Sequence, residues 1–178
     1  MLDEATLVKR AIKGDVRSLS ELLRQHYSFL YQYSLKLTMD KNRAEDITQE
    51  TMLKAVENIS AFRSQSKFTT WLISIASRLV IDGARRRERE KKWMQQEEGS
   101  LRLLRYESLG RMNEWPEALQ AIGELDEKHR MAVLLKYYYG YSQEEIASMT
   151  DTPVGTVKSR LHQGLKQLRE GLLSYEEK

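Results

Sequence analysis

The sequence predicts an all-α protein of two small helical domains joined by a flexible linker. Two observations carry this. The composition is helix-rich, with only two prolines and nine glycines in 178 residues, 40% hydrophobic and 31% charged. Apolar residues recur at three- and four-residue spacing through most of the chain, and no run alternates as a strand would. The periodicity fades between Glu88 and about Asn113, where charged and Gln residues dominate. The expected partition is therefore a first domain over 1–87, a linker over 88–113 and a second domain over 114–178.

Residues 3 to 37 read as two helices parted at Gly14-Asp15, since Gly suits the C′ position and Asp the next N-cap. Leu19, Leu22, Leu23, His26, Leu30, Tyr33 and Leu37 form the inward stripe of the second, and His26 on that stripe is read as a packed core residue. A third helix is expected over 44–59, burying Ala44, Ile47, Thr48, Thr51, Met52, Ala55, Val56 and Ile59. Its opposite face presents Asp46, Gln49, Glu50 and Leu53, with Glu45 beside it. Two readings of that face stand side by side. One is a solvated acidic surface with a single exposed leucine, a common occurrence. The other is a docking face, an apolar anchor ringed by acids and suited to an Arg-rich helix.

Residues 60 to 69, SAFRSQSKFT, break the pattern as a loop, and a fourth helix runs from about Thr70 into Arg85-Arg86-Arg87. Drawn at 3.6 residues per turn, it places Leu72, Ile75, Ala76 and Leu79 on one face. Ser74, Ser77, Arg78, Ile81 and Arg85 fall on another, small and cationic. Residues 85 to 92 hold six cations and two acids, a local charge of 6 − 2 = +4, which suits a DNA backbone. Phe68 and Trp71 have rings able to stack on exposed bases, at about 1–3 kcal/mol per base. Trp71, opening an amphipathic helix, is placed in the core more readily than on a base. Phe62, Arg63, Lys67 and Thr69, in the loop, are the better candidates for capturing one. Asp82 is expected to pair with Arg78 or Arg86, each four residues away.

A short helix is expected around Leu101 to Met112 within the linker, and about 25 extended residues reach roughly 80 Å. Beyond it one helix is expected over Trp115 to Gly123. Another starts at the N-cap Asp126 and runs through Tyr137-Tyr138-Tyr139, a tyrosine run read as core and interface. Ser142 and Glu145 form a capping box that opens a short helix with Ile146 and Ala147 inward. Thr150-Asp151-Thr152-Pro153 stops it, and Val154, Val157, Leu161, Leu165 and Leu168 form the stripe of the next. Two helices across so short a turn make a helix-turn-helix. From Val154 to Arg169 the second carries Lys158, Arg160, Lys166, Arg169 and His162, and no acid. Such a helix presents its first turns to base edges. Gly155, Thr156, Lys158, Ser159, Arg160, His162 and Gln163 are the candidate contacts, with backbone N–H groups at Gly155 and Thr156 able to take a phosphate.

"AEDITQETMLKA" (44–55), "FTTWLISIASRLVIDGARRR" (68–87) and "YSQEEIASMTDTPVGTVKSRLHQGLKQLR" (141–169), in this order and spacing, together resemble the extracytoplasmic-function group of bacterial sigma factors. The resemblance implies core RNA polymerase as partner, through its β′ coiled coil and β flap. The face of Asp46, Gln49, Glu50, Leu53 and Glu45 would take the coiled coil. Residues 60 to 87 would recognise and melt the minus-ten element through Phe62, Arg63, Lys67, Phe68, Thr69, Trp71, Ser74, Ser77, Arg78, Arg85 and Arg86. The helix-turn-helix would read the minus-thirty-five element, and an anti-sigma factor would regulate the whole. Many members carry Asn in the pattern I-A-x-N, where this chain has Arg78 after Ile75-Ala76-Ser77. An arginine there suits phosphate rather than a base edge.

Several classes are disfavoured. The absence of cysteine excludes disulfides and thiolate metal sites, and His26, His129 and His162 are scattered. Neither a metal nor another cofactor is expected. No stretch reaches the roughly 18 uncharged apolar residues of a membrane span, and the N-terminus lacks the apolar segment of a signal peptide. A cytoplasmic protein is expected, without membrane insertion or a small-molecule substrate. Asp40, Asp46 and Asp82 fall on different helical faces, against a nuclease. A surface-bound amphipathic segment over 71–92 is a further rival. The main alternative is a stand-alone helix-turn-helix regulator, but no dimerisation heptad is visible. Opening about five base-pair steps costs roughly 7 kcal/mol at about 1.4 per step. One or two captured bases cannot supply that, so melting calls for a large partner.

Overall fold

In the computed structural model, residues 3–91 and 121–176 are described; every described regular element is helical. The expected helix over Leu101 to Met112 and the start of the Trp115 helix lie outside these residues, although 121–124 are helical. The first domain comprises α1 (Glu4–Ile12), α2 (Val16–Thr38), α3 (Lys41–Asn58), a 3₁₀ turn (Ile59–Ala61) and α4 (Phe68–Lys91). Its boundaries are set by caps. The Asp3 carboxylate accepts from Thr6 N–H, Asp15 from Arg17 and Ser18, and Asp40 from Arg43, satisfying donors that a helix start leaves open. Gly14, at φ 91°, makes the α1–α2 break where the sequence placed it. Met39 closes α2 in the left-handed region at φ 54°.

Leu22, Leu30, Tyr33, Leu37, Ala44, Ala55, Phe68, Leu72, Ile73 and Ala76 fill the core of this domain. The stripe assigned to α2 is borne out, with Leu23 and His26 at its half-buried margin. On α3 one expected core residue, Val56, is 50% exposed. It lies one turn beyond Leu53, on the edge facing away from α2 and α4.

After the helical residues 121–124 of the second domain, the Asp126 cap accepts from His129 N–H and opens α5 (Glu127–Val133). α5 runs into one π-helical turn (Leu134–Tyr138). Ser142 and Glu145 form the expected reciprocal capping box of α6 (Gln143–Thr150). Asp151, left-handed at φ 49°, ends α6, and α7 follows over Val154–Glu176.

The buried stripe of α7 is Val157, Leu161 and Gly164, while Leu165 is 38% exposed. The stripe turns through a glycine because α7 crosses α5 closely. A Cβ on Gly164 would sit 2.9 Å from Val133 Cγ2 and 3.4 Å from His129 Cβ. Valine has no flexible end to withdraw. Gly164→Val is therefore expected to lower unfolding stability by about 1–3 kcal/mol. Gly171→Ala, in the same helix with its nearest neighbour at 3.7 Å, should raise it by up to about 1 kcal/mol. Urea melts of the two variants check the contrast.

Candidate nucleic-acid and polymerase interface

The face of α3 keeps its expected character. Glu45, Asp46, Gln49 and Glu50 are exposed, and Leu53 is 64% exposed. Val56, the residue misplaced in the core by periodicity, widens the apolar anchor beside Leu53. A pair of exposed apolar side chains one turn apart, edged by four acceptor-bearing residues, offers both a pocket filler and a site for cationic partners.

The minus-ten candidates divide. Arg63, Lys67, Arg85 and Arg86 are exposed, and Thr69 and Ser74 half-buried. Three others are core residues. Phe62 and Phe68 are 6% and 2% exposed, and their rings meet edge-on with centroids 5.7 Å apart. Phe68 also faces His26 at 5.3 Å. The loop ends earlier than expected because Phe68 starts α4, and this aromatic contact anchors the helix start. Trp71 is half-buried against both rings, at 5.0 and 5.5 Å, which agrees with its core reading and withdraws its flat faces from base stacking.

Ser77 is the third correction, fully buried. Its Oγ donates to the Ile73 carbonyl at 2.7 Å and lies 2.6 Å from the Tyr33 hydroxyl, which is left to donate to it. Burial, as the largest influence, pushes the Tyr33 hydroxyl far above its ordinary range, partly offset by this bond. The core face of α4 is thus Leu72, Ile73, Ala76, Ser77 and Val80, with Ile75 and Leu79 half-buried. The helix is rotated by about one residue from the expected wheel. Small polar Ser77 read as surface on the wheel, and only a partner hydroxyl from α2 makes it core.

Arg78, next along, points outward, and its guanidinium donates to the carbonyls of Ser148 and Met149, each at 3.1 Å. Asp82 pairs with Arg85 at 3.5 Å, rather than with Arg78 or Arg86 as expected.

The recognition-helix candidates lie where the sequence placed them. Gly155, Lys158, Ser159, His162 and Gln163 are exposed, Thr156 and Arg160 half-buried. Burial first, and the Arg85 charge second, lower the pKa of Arg160. Of the tyrosine run only Tyr139 packs inward, edge-on to Tyr33 at 5.4 Å and Phe29 at 6.2 Å. Tyr137 and Tyr138 are 60% and 50% exposed.

Sequence reasoning missed Glu127 and Arg130. Glu127 accepts from Arg43 at 2.6 Å and Arg87 at 2.7 Å. Arg130, 8% exposed, donates to the carbonyls of Leu37, Ile122, Gly123 and Leu125. Neither lies on a periodic or motif signal, since the partners of Glu127 are arginines distant in the chain and those of Arg130 are backbone carbonyls. Among the described residues no group of three His, Cys, Asp or Glu could hold a metal ion, and no helix is long and apolar enough to cross a membrane.

Removing one partner of the Tyr33–Ser77 pair strands a buried polar group, at about 1–3 kcal/mol. Ser77→Ala and Tyr33→Phe should each lose that much, and the double variant less than their sum. A thermodynamic cycle by urea denaturation reads this, and additive losses would contradict the bond.

Comparison with known proteins agrees with this architecture. The Sigma-70 region 2 family matches residues 22–90, and the Sigma-70, region 4 family matches residues 117–168. The extracytoplasmic-function RNA polymerase sigma factor SigW of Bacillus subtilis is 31% identical over 176 aligned residues, covering 93% of this chain and 94% of that one. The RNA polymerase sigma-H factor of Pseudomonas aeruginosa is 32% identical over 177, covering 93% and 92%. The fold resembles the sigma factor RpoE of Bartonella quintana, solved with the anti-sigma factor NepR, at a TM-score of 0.64 and 23% identity, covering 88% of this chain and 98% of that one. It also resembles CnrH, solved with the cytosolic domain of CnrY, at 0.60 and 20%, covering 95% and 96%. With both domains matched in order and relatives spanning nearly the full length, the chain belongs to the extracytoplasmic-function RNA polymerase sigma factors, which direct promoter-specific transcription initiation.

Proposed function

We propose that this chain docks on core RNA polymerase through α3, reads the minus-thirty-five element as duplex through α7, and engages the minus-ten element through the 62–67 loop and the outer face of α4. It acts in the cytoplasm and catalyses nothing itself; the polymerase does the chemistry. The single observation that carries this reading is the helix-turn-helix. Its second helix exposes Gly155, Lys158, Ser159, His162 and Gln163 in its first turns and holds no acid up to Arg169. That arrangement fits a major groove edged by phosphates.

At the minus-ten element the roles narrow to side chains that reach solvent. Arg63 and Lys67 lie in the loop, with Thr69 just beyond it in the first turn of α4, as candidates to hold an extruded base and its phosphate. Ser74, Arg78, Arg85 and Arg86 would follow the backbone along α4. Phe62, Phe68 and Ser77 support that surface from beneath, and Trp71 frames it. The β′ coiled coil would meet Asp46, Gln49, Glu50 and Leu53, with Glu45 and Val56 at the edge, and the second domain would meet the β flap. The solved neighbours are complexes with the anti-sigma factor NepR and with the cytosolic domain of CnrY, which supports an anti-sigma factor as a further partner.

Glu50→Lys combined with Leu53→Ala is expected to abolish binding to purified core polymerase while leaving the circular dichroism spectrum unchanged. Undiminished core affinity would remove the docking assignment. Lys158→Ala should weaken promoter binding by the polymerase complex and lower its log–log salt slope by about one. An unchanged slope would take Lys158 off the phosphate backbone.

A further inference from the structure

The outward face of α7 is a file of cations with one histidine in it. At 3.6 residues per turn, Gly155, Lys158, His162, Lys166 and Arg169 align along one side of the helix, and all five are exposed. His162 stands one turn from Lys158 and one turn from Lys166. It makes no hydrogen bond or ion pair among the described residues. The first acid on α7 is Glu170, which lies 3.9 Å from Lys166 Nζ.

The charged groups behind α7 are engaged elsewhere. On α5, His129 is buried with Nδ1 3.0 Å from Asp126 Oδ1, and Lys128 lies 3.8 Å from the same carboxylate. His129 packs under Gly164, on the inner side of α7. α6 brings Glu144 and Glu145 at its start, the latter held in the Ser142 capping box, and Asp151 at its end. From the first domain Arg85 brings its charge to Arg160. None of these groups bonds His162, so a DNA phosphate would be its first anionic partner.

Position along the helix sets what His162 meets on a duplex. A recognition helix brings its first residues to the base edges. The seven residues from Gly155 to His162 rise about 10 Å, and the major groove is about 12 Å wide. With the first turn over base edges, His162 reaches the lip of the groove, among phosphate oxygens. Lysine and arginine stay charged through the neutral range, whereas a histidine gains or loses its charge there.

We infer that His162 is a proton-linked phosphate contact: it takes up a proton as the minus-thirty-five duplex closes on α7, so promoter binding strengthens as pH falls. The inference rests on the minus-thirty-five reading above. Phosphate favours the charged imidazole, so the proton is held more tightly in the complex than in the free protein. The added affinity is therefore fully present below the ordinary histidine range, and is lost as pH rises through the higher value of the complex.

Equilibrium binding of the polymerase complex to a duplex promoter fragment, at about pH 6 and about pH 8, tests this on either side of that range. Between the higher and the lower value, wild type is expected to gain roughly three- to tenfold more affinity than His162→Gln. His26, His129 and the histidines of the polymerase are common to both forms and cancel. The log–log salt slope of wild type should steepen by up to about one over the same interval, and that of His162→Gln should not. His162→Lys, charged at both values, should keep the steeper slope at both. Equal pH responses of wild type and His162→Gln would overturn the inference. So would a smaller gain by wild type than by the variant, which is the mark of a neutral imidazole on a base edge. If all three forms bind a scrambled duplex as tightly as the promoter at both values, the minus-thirty-five reading itself is removed, and the inference with it.

Discussion

The hydroxyl of Tyr33 on the hydroxyl of Ser77, 2.6 Å apart in a fully buried setting, sets the rotation of α4 about its axis. A hydrogen bond is directional, and leaving either partner unpaired in the interior is costly. With Ser77 turned inward, Leu72, Ile73, Ala76 and Val80 must share that face. Arg78, one residue along, must then point out. The side chains that α4 exposes, and the contact that holds α6, both follow from which way this helix is turned.

The aromatic cluster at the head of α4 adds a second constraint. Phe62 reaches back from the loop to Phe68 and Trp71, so both ends of the 62–67 loop are pinned to the core. Between them Arg63 and Lys67 are exposed on a short tether. Cations held in position lose less freedom on meeting a phosphate than cations on a free tail would. The domain junction is made differently. It combines guanidinium groups on carbonyls and a carboxylate, a Thr70–Tyr141 hydroxyl contact and buried apolar side chains of both domains in one continuous core, with Tyr139 packed edge-on to Tyr33.

Much of the fold was legible in the sequence because its boundaries are set by local chemistry. Gly14-Asp15, Asp126 and the Ser142–Glu145 box each work within one turn, and the structure places helix ends at all of them. The exposed cationic face of α7 was legible for the same reason, since charge and exposure along one helix are read directly from spacing. What failed were residues whose environment comes from another element. Ser77 looks like surface until Tyr33 supplies a hydroxyl. Phe62 and Phe68 look like stacking platforms until they meet each other. Leu165 looks like core until the close approach of α5 at Gly164 turns the stripe. Glu127 carried no motif because its partners Arg43 and Arg87 lie far away in the chain, and Arg130 because its partners are backbone carbonyls, which no side-chain pattern marks.

The distance between the domains, free and engaged, tests the account most directly. The absence of cysteine allows one fluorophore pair to be placed at Tyr27→Cys on α2 and Lys166→Cys on α7, both exposed and outside the proposed contact surfaces. Single-molecule energy transfer should report one short distance for the free protein, and a lengthening of tens of ångströms with core polymerase and promoter DNA, set by the roughly 85 Å between elements. A distance that is already long in the free protein, or that stays short on the promoter, would contradict it.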